Sequence, residues 1–158
     1  MTDIVKLIKD LRNKTGAGFL DCKNALSESN NNIEDSIEYL RKKGLAKASK
    51  KTSREANEGA VGIYYNESHI LLLKINSETD FAAKSDTFLN FLDELGEFLI
   101  DNVDANSTKE DVVNLKYNNI LISEFFDSMI GKIGENLVLN DLIVLENKKH
   151  EFSFYIHN

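Results

Sequence analysis

The chain has 158 residues, 42% hydrophobic and 28% charged, with a formal net charge of −7, a balance that suits a globular protein with a real core and excludes a disordered tail. Apolar runs such as 70–73 are too short to cross a bilayer, and the charged start MTDIVKLIKDLR lacks the apolar region of a signal peptide. The single cysteine, Cys22, has no partner for an internal disulfide, which predicts a reducing, cytoplasmic location without membrane contact.

Ile4, Leu7, Ile8 and Leu11 follow the i, i+3, i+4, i+7 spacing of an amphipathic helix over about 3–13, with Thr2 placed to cap it. Thr15-Gly16-Ala17-Gly18 predicts a turn, because glycine permits positive φ and interrupts helices. A second short helix carries Phe19, Cys22, Ala25 and Leu26. Asn30-Asn31-Asn32 predicts another turn, with Asn32 as the N-cap of a third helix that places Ile33, Ile37 and Leu40 on one face. Gly44 sits where a C′ glycine ends that helix. Residues 1–44 thus read as a three-helix module, and 45–58 as a basic linker or helical extension.

The period then changes. Residues 59–66 and 69–78 are rich in Val, Ile, Leu and Tyr and are separated by Glu67-Ser68, which predicts an antiparallel hairpin. Helical spacing returns over about 84–100 through Phe88, Phe91, Leu92, Leu95, Phe98 and Leu99. A polar loop at 101–107 and a short helix at 108–116 follow. A further helix runs from about 122 to 133, with Phe125, Phe126, Met129 and Ile133 facing inward. Two strands, 137–147 and 151–158, are predicted to close the chain around a Lys148-Lys149-His150 turn. Residues 59–158 therefore read as an α+β core subdomain, a small antiparallel sheet covered by helices.

Charge divides the chain. Residues 1–58 carry 12 Lys+Arg against 9 Asp+Glu, and residues 59–158 carry 7 against 17. The acidic part disfavours direct binding of nucleic acid. Arg41–Arg54 is the exception, with seven positive residues and no negative one. It reads as a solvated helix end with linker, as a nucleic-acid patch, or as a strip that docks on an acidic protein surface. The second reading lacks interleaved aromatics for base stacking.

The motifs of covalent and cofactor chemistry are missing. There is no P-loop, and no Gly-x-Gly-x-x-Gly follows a strand. His69, His150 and His157 are too scattered for a zinc site, and Cys22 lies on the inner face of its helix, where a core role is simplest. The expectation is a binding protein, not an enzyme, with no catalytic residue, no metal, no cofactor and no small-molecule substrate.

Two segments resist a purely structural account. Thr79-Asp80-Phe81 joins a buried strand to a helix, and Thr or Asp there explains itself as an N-cap. The aromatic after Asp80 does not: it either packs in the core or is an exposed anchor for a partner. In Lys132-Ile133-Gly134-Glu135-Asn136 the glycine is either a helix C-cap or a gap that admits another protein's backbone.

At these residues the chain resembles the elongation factor Ts family, the bacterial and organellar exchange factors for elongation factor Tu. Leu11-Arg12-Asn13-Lys14-Thr15-Gly16-Ala17-Gly18-Phe19-Leu20-Asp21-Cys22-Lys23-Asn24-Ala25-Leu26 is similar to the family's N-terminal signature. Ile75-Asn76-Ser77-Glu78-Thr79-Asp80-Phe81-Ala82-Ala83-Lys84 is similar to its second, and Lys132 to Asn136 to a third characteristic stretch. The resemblance implies a ubiquitin-associated-like bundle over 1–44 and the first half of the family's α+β core over 59–158. It implies that Thr79, Asp80, Phe81 and Ala82 form a wedge that enters the nucleotide domain of elongation factor Tu and dislodges its Mg²⁺. It also implies that Ile133 and Gly134 approach the partner's phosphate-binding loop, and that Leu11, Phe19, Leu20 and Lys23 belong to an N-terminal docking face. The chain departs from the family at Ala82, usually Val, and at Asn140 and Asp141, where arginines are common. Typical members continue beyond Tyr155-Ile156-His157 with a second core subdomain and a C-terminal module, so the expectation is a short form. Its alternative function is a scaffold that holds a partner without promoting exchange.

Overall fold

The computed structural model describes residues 4–147 and 152–155, the Lys47 side chain excepted. The predicted Thr2 cap and 148–150 turn lie outside these residues. The elements are α1 (Ile4–Thr15), α2 (Phe19–Glu28), α3 (Ile33–Ala48), β1 (Glu58–Tyr65), β2 (His69–Ser77), α4 (Asp80–Ala83), α5 (Asp86–Ile100), α6 (Lys109–Val113), β3 (Lys116–Tyr117), β4 (Ile120–Leu121), α7 (Ile122–Ile133) and β5 (Leu137–Glu146). The class is α+β: three N-terminal helices, then a small antiparallel sheet of order β1-β2-β5 packed with helices. The chain divides into two compact units, Met1–Glu55 with Ser123–Leu137, and Ala56–Ile122 with Val138–Asn158. The sequence reading divides it serially at 44 and 58, whereas the first unit draws α7 from a distant stretch.

In the first unit, Ile8, Leu11, Cys22, Ala25 and Leu26 form the core of the three-helix bundle, with Ile33, Ile37 and Leu40 against it. Asn30 and Asn31 take positive φ, which Asn tolerates better than most residues, and turn the chain into α3. The Asn32 side chain then accepts from the Asp35 amide at 3.1 Å, capping that helix.

The predicted end at Gly44 is corrected: α3 runs through it to Ala48. A Cβ at Gly44 itself would meet nothing within 4 Å. The close approach is made by Gly131 of α7, where a Cβ would lie 3.3 Å from the Gly44 Cα, so it is the α7 glycine that lets the two helices meet. Arg41 on α3 reaches Glu124 on α7 at 3.1 Å, and also pairs with Glu38 at 2.9 Å. On α7, Phe126, Met129 and Ile130 are buried. Burial, and secondarily the charge of Glu124, raises the Asp127 carboxyl above its ordinary range.

In the second unit, β1 and β2 form the predicted hairpin, in register from Glu58 opposite Ser77 to Tyr65 opposite Ile70. The Asn66 side chain accepts from the Ser68 and His69 amides at 2.9 and 2.8 Å, which makes the turn. Leu71, Leu73, Ile75 and Ser77 alternate along β2 and are all fully buried. Phe88, Phe91, Leu92, Leu95 and Leu99 of α5 are buried as well. Each of these leucine, isoleucine and phenylalanine side chains stabilises the fold by about 1.5–3 kcal/mol relative to exposure.

Tyr64 fits between two glycines: a Cβ at either Gly62 or Gly96 would overlap its ring. Its hydroxyl donates to the Asp93 carboxylate at 2.9 Å, and burial together with that carboxylate raises the phenol well above its ordinary value. Asp141 on β5 lies 4.0 Å from Lys74 on β2, and Lys109 donates to the Asn140 carbonyl at 2.7 Å. Asn140 and Asp141 thus each meet a lysine of this chain, Asn140 through its backbone carbonyl.

Two elements differ from expectation. The short pair β3 and β4 was not foreseen; it turns on Asn118-Asn119, both at positive φ. The predicted strand at 151–158 is corrected over its described part, since 152–155 carry no strand. Phe152 and Phe154 instead pack against Tyr65, the first edge-to-face and the second tilted, with ring centroids 5.0 and 6.4 Å away. Alternating aromatics that pack on a ring have the same period as a strand.

Gly96→Ala is expected to lower stability by about 1–3 kcal/mol through overpacking against Tyr64. In a Tyr64→Ala background the same change should cost little or stabilise, because Ala is the better helix former; denaturant melts of the double-mutant cycle check this. Because Asp127 holds its proton to higher pH in the folded than in the unfolded state, native stability falls as pH rises from the ordinary aspartate range through the raised one. Asp127→Asn is therefore expected to melt about 1–3 °C above wild type at neutral pH, with the gap closing below that window in thermal scans against pH.

Candidate functional site

The residues singled out in the sequence fall into the two units, and each unit presents its own surface. In the second unit β2 ends at Ser77, and Thr79 leaves in an extended conformation as the N-cap of α4. Its hydroxyl accepts from the Ala82 amide at 3.2 Å. One turn later Ser85 caps α5, accepting from the Phe88 amide at 3.2 Å and donating to the Ala82 carbonyl at 2.8 Å. α4 is thus a single turn with a hydroxyl at each end.

Its side chains divide sharply. Ala82 and Ala83 are buried, and these small residues let the turn sit close to the hairpin it packs against. Phe81 is 85% exposed, more than any other large hydrophobic side chain among the described residues. The alternative left open by the sequence resolves to exposure. Leaving a phenylalanine in water forgoes about 1.5–3 kcal/mol of burial, and here it is done on a short, doubly capped support. Beside it Lys84 donates to Asp80 at 2.9 Å; this hydrogen bond, and then the ammonium charge, lower the Asp80 carboxyl below its ordinary range. Lys84 was not among the residues singled out, although its place four residues after Asp80 is the spacing of a helical ion pair.

The first unit presents an open cleft of mixed character on α1 and the following turn, lined by the apolar Val5, Ile8, Ala17 and Phe19 and by Lys9, Arg12 and Asn13. Phe19 and Leu20 are 52% and 67% exposed, and Lys23 is exposed on the same helix. Leu11 is different. It is fully buried in the bundle core, so it supports this face from beneath and its side chain is not part of the surface. Ala82 stands in the same relation to the α4 turn.

In the same unit Gly134 follows α7 at φ +89°, with its amide on the Ile130 carbonyl at 2.9 Å, an αL helix end. It is exposed, while Ile133 is half-buried. Lys51 donates to the Gly134 carbonyl, and the Asn136 side chain donates to the Arg54 carbonyl at 2.7 Å. Four cations of the basic stretch are therefore engaged within their own unit: Arg41 with Glu38 and Glu124, Lys42 with Glu38, Lys43 with Asp21 at 3.0 Å, and Lys51 with Gly134. Cations already paired in this way brace the fold and are less available to phosphate.

Among the described residues no cluster of three or more His, Cys, Asp or Glu could hold a metal ion, and no helix is long and apolar enough to cross a membrane. The family model described as Elongation factor TS matches residues 78–158, just over half of the chain. The match begins one residue before Thr79 and contains the α4 turn, Ile133 and Gly134; the exposed Phe19 and Leu20 lie outside it.

Phe81→Ala should leave stability within about 0.5 kcal/mol of wild type, whereas Phe88→Ala should cost about 3–5 kcal/mol. Parallel urea titrations of the two variants check the contrast between an exposed aromatic and a core one.

Proposed function

The chain belongs to the elongation factor Ts family of translation elongation factors, and on that premise we propose that it is a guanine nucleotide exchange factor. It binds elongation factor Tu in its GDP form and promotes GDP release by displacing Mg²⁺. The observation that carries this reading is Phe81, a large aromatic held almost wholly in solvent on a turn capped at both ends. Exposed aromatics on rigid supports are characteristic binding hot spots.

The physics is linkage. A factor that binds the nucleotide-free partner more tightly than the nucleotide-bound one weakens nucleotide by the same ratio, each tenfold requiring about 1.4 kcal/mol of differential contact. Thr79, Asp80 and Phe81 supply that contact, with Ala82 packed beneath them. Loss of the cation leaves phosphate charge uncompensated, so a small displacement has a large electrostatic effect. Phe19, Leu20 and Lys23 dock the partner over the Leu11 core, and Ile133-Gly134, at the C-terminal end of α7, approaches its phosphate-binding loop. No bond is made or broken in the polypeptide, so the protein is not an enzyme in the covalent sense and carries no cofactor. It works in the cytoplasm, where the buried Cys22 stays a thiol.

Catalytic amounts of the chain are expected to accelerate release of a fluorescent GDP analogue from elongation factor Tu. Phe81→Ala should lower that stimulation at least tenfold, the scale of a hot-spot truncation. Release by the wild-type chain no faster than the spontaneous rate, with a stable complex still formed, would replace exchange by the holding function.

A further inference from the structure

One turn of helix has no stability of its own, since nucleation fixes several residues for a single hydrogen bond. The turn that carries Phe81 must therefore be held from outside. Within α4 and its caps, the Thr79 hydroxyl meets the Ala82 amide and the Thr79 carbonyl accepts the Ala83 amide at 3.2 Å. The Ser85 bond to the Ala82 carbonyl joins the turn to α5. One more bond is of a different kind. The Ser77 hydroxyl donates to the Thr79 carbonyl at 3.0 Å, and this ties the turn back to the sheet.

Ser77 is the last residue of β2, opposite Glu58 in the hairpin register, and is fully buried on the face shared with Leu71, Leu73 and Ile75. A position on that face otherwise calls for an apolar side chain. A hydroxyl there needs an acceptor, and the one it has is the carbonyl of the residue that caps α4. The neighbouring Glu78 is spanned, so the bond sets the direction in which the chain leaves β2.

We propose that Ser77 is a positioning residue for Phe81: it transmits the rigidity of the central strand to the α4 turn and fixes the angle at which the aromatic is presented. Its functional consequence rests on the exchange reading; its structural consequence does not. A turn that wanders presents Phe81 correctly for less of the time, so the step after docking slows while docking, which uses other residues, is unaffected.

The test uses the full chain with Ser77→Ala and with Ser77→Cys, which keeps a donor and fills the site. Amide hydrogen exchange and release of a fluorescent GDP analogue from elongation factor Tu are both measured. Ser77→Ala should speed exchange of the Ala82 and Ala83 amides about fivefold to tenfold, the scale of one hydrogen bond, with Leu73 and Ile75 unchanged. It should lower kcat for GDP release by about the same factor and leave KM within about twofold. Ser77→Cys restores the volume but donates only weakly, so it should recover only part of both effects; full recovery would assign them to volume and overturn the proposal. Unchanged Ala82 and Ala83 amides, or equal loss of protection at Leu73 and Ile75, would overturn the proposal, as would an effect on KM alone. If the amides respond as expected while wild type itself fails to stimulate release, the clamp stands and the exchange reading falls.

Discussion

The pairing of β1 with β2 is the constraint from which the second unit is built. It runs unbroken from Tyr65 opposite Ile70 to Glu58 opposite Ser77, and it holds one face of β2 fully buried from Leu71 to Ser77. α5 lies on the hairpin, and Tyr64 locks the two together because Gly62 and Gly96 leave room for its ring. The strand also ends at a fixed point. Whatever leaves Ser77 starts from a position the core has determined, which is why four residues of helix can present a phenylalanine to solvent without collapsing around it.

Much of this was legible in the sequence because most elements have one apolar face. The 3.6-residue period marks α1, α5 and α7, and the change to strand-like composition marks the hairpin. What was illegible has particular causes. Gly44 looks like a helix end, yet α3 continues through it to Ala48, and the glycine that the meeting of α3 and α7 requires is Gly131. Phe152 and Phe154 alternate as a strand would, while their rings pack edge-on and tilted against Tyr65. Asn118-Asn119 is a turn signal, but two residues on either side are too few to show a period.

The candidate site was legible by resemblance more than by pattern. Nothing in the periodicity decides whether Phe81 points inward, because exposure is a tertiary property of the residues around it; Ala82 and Ala83 occupy the packed side and leave the aromatic outside. Leu11 shows the converse. Its helical spacing with Leu7 and Ile8 places it inside, and burial agrees with the spacing, not with a surface role. The basic stretch at 41–54 adds a third case. Charge counted along a sequence ignores partners brought in from elsewhere, here Asp21, Glu124 and the Gly134 carbonyl.

Cys22 remains. It is the chain's sole cysteine, fully buried against the Ile8 and Leu11 side of the bundle, with burial raising its thiol above the ordinary value. A protonated, enclosed thiol reacts slowly with alkylating reagents. The native protein is therefore chemically quiet toward maleimides, and a cysteine introduced at an exposed surface position can be labelled selectively while the natural one stays in place. The molecule accepts a spectroscopic reporter without first being stripped of its own sulfur.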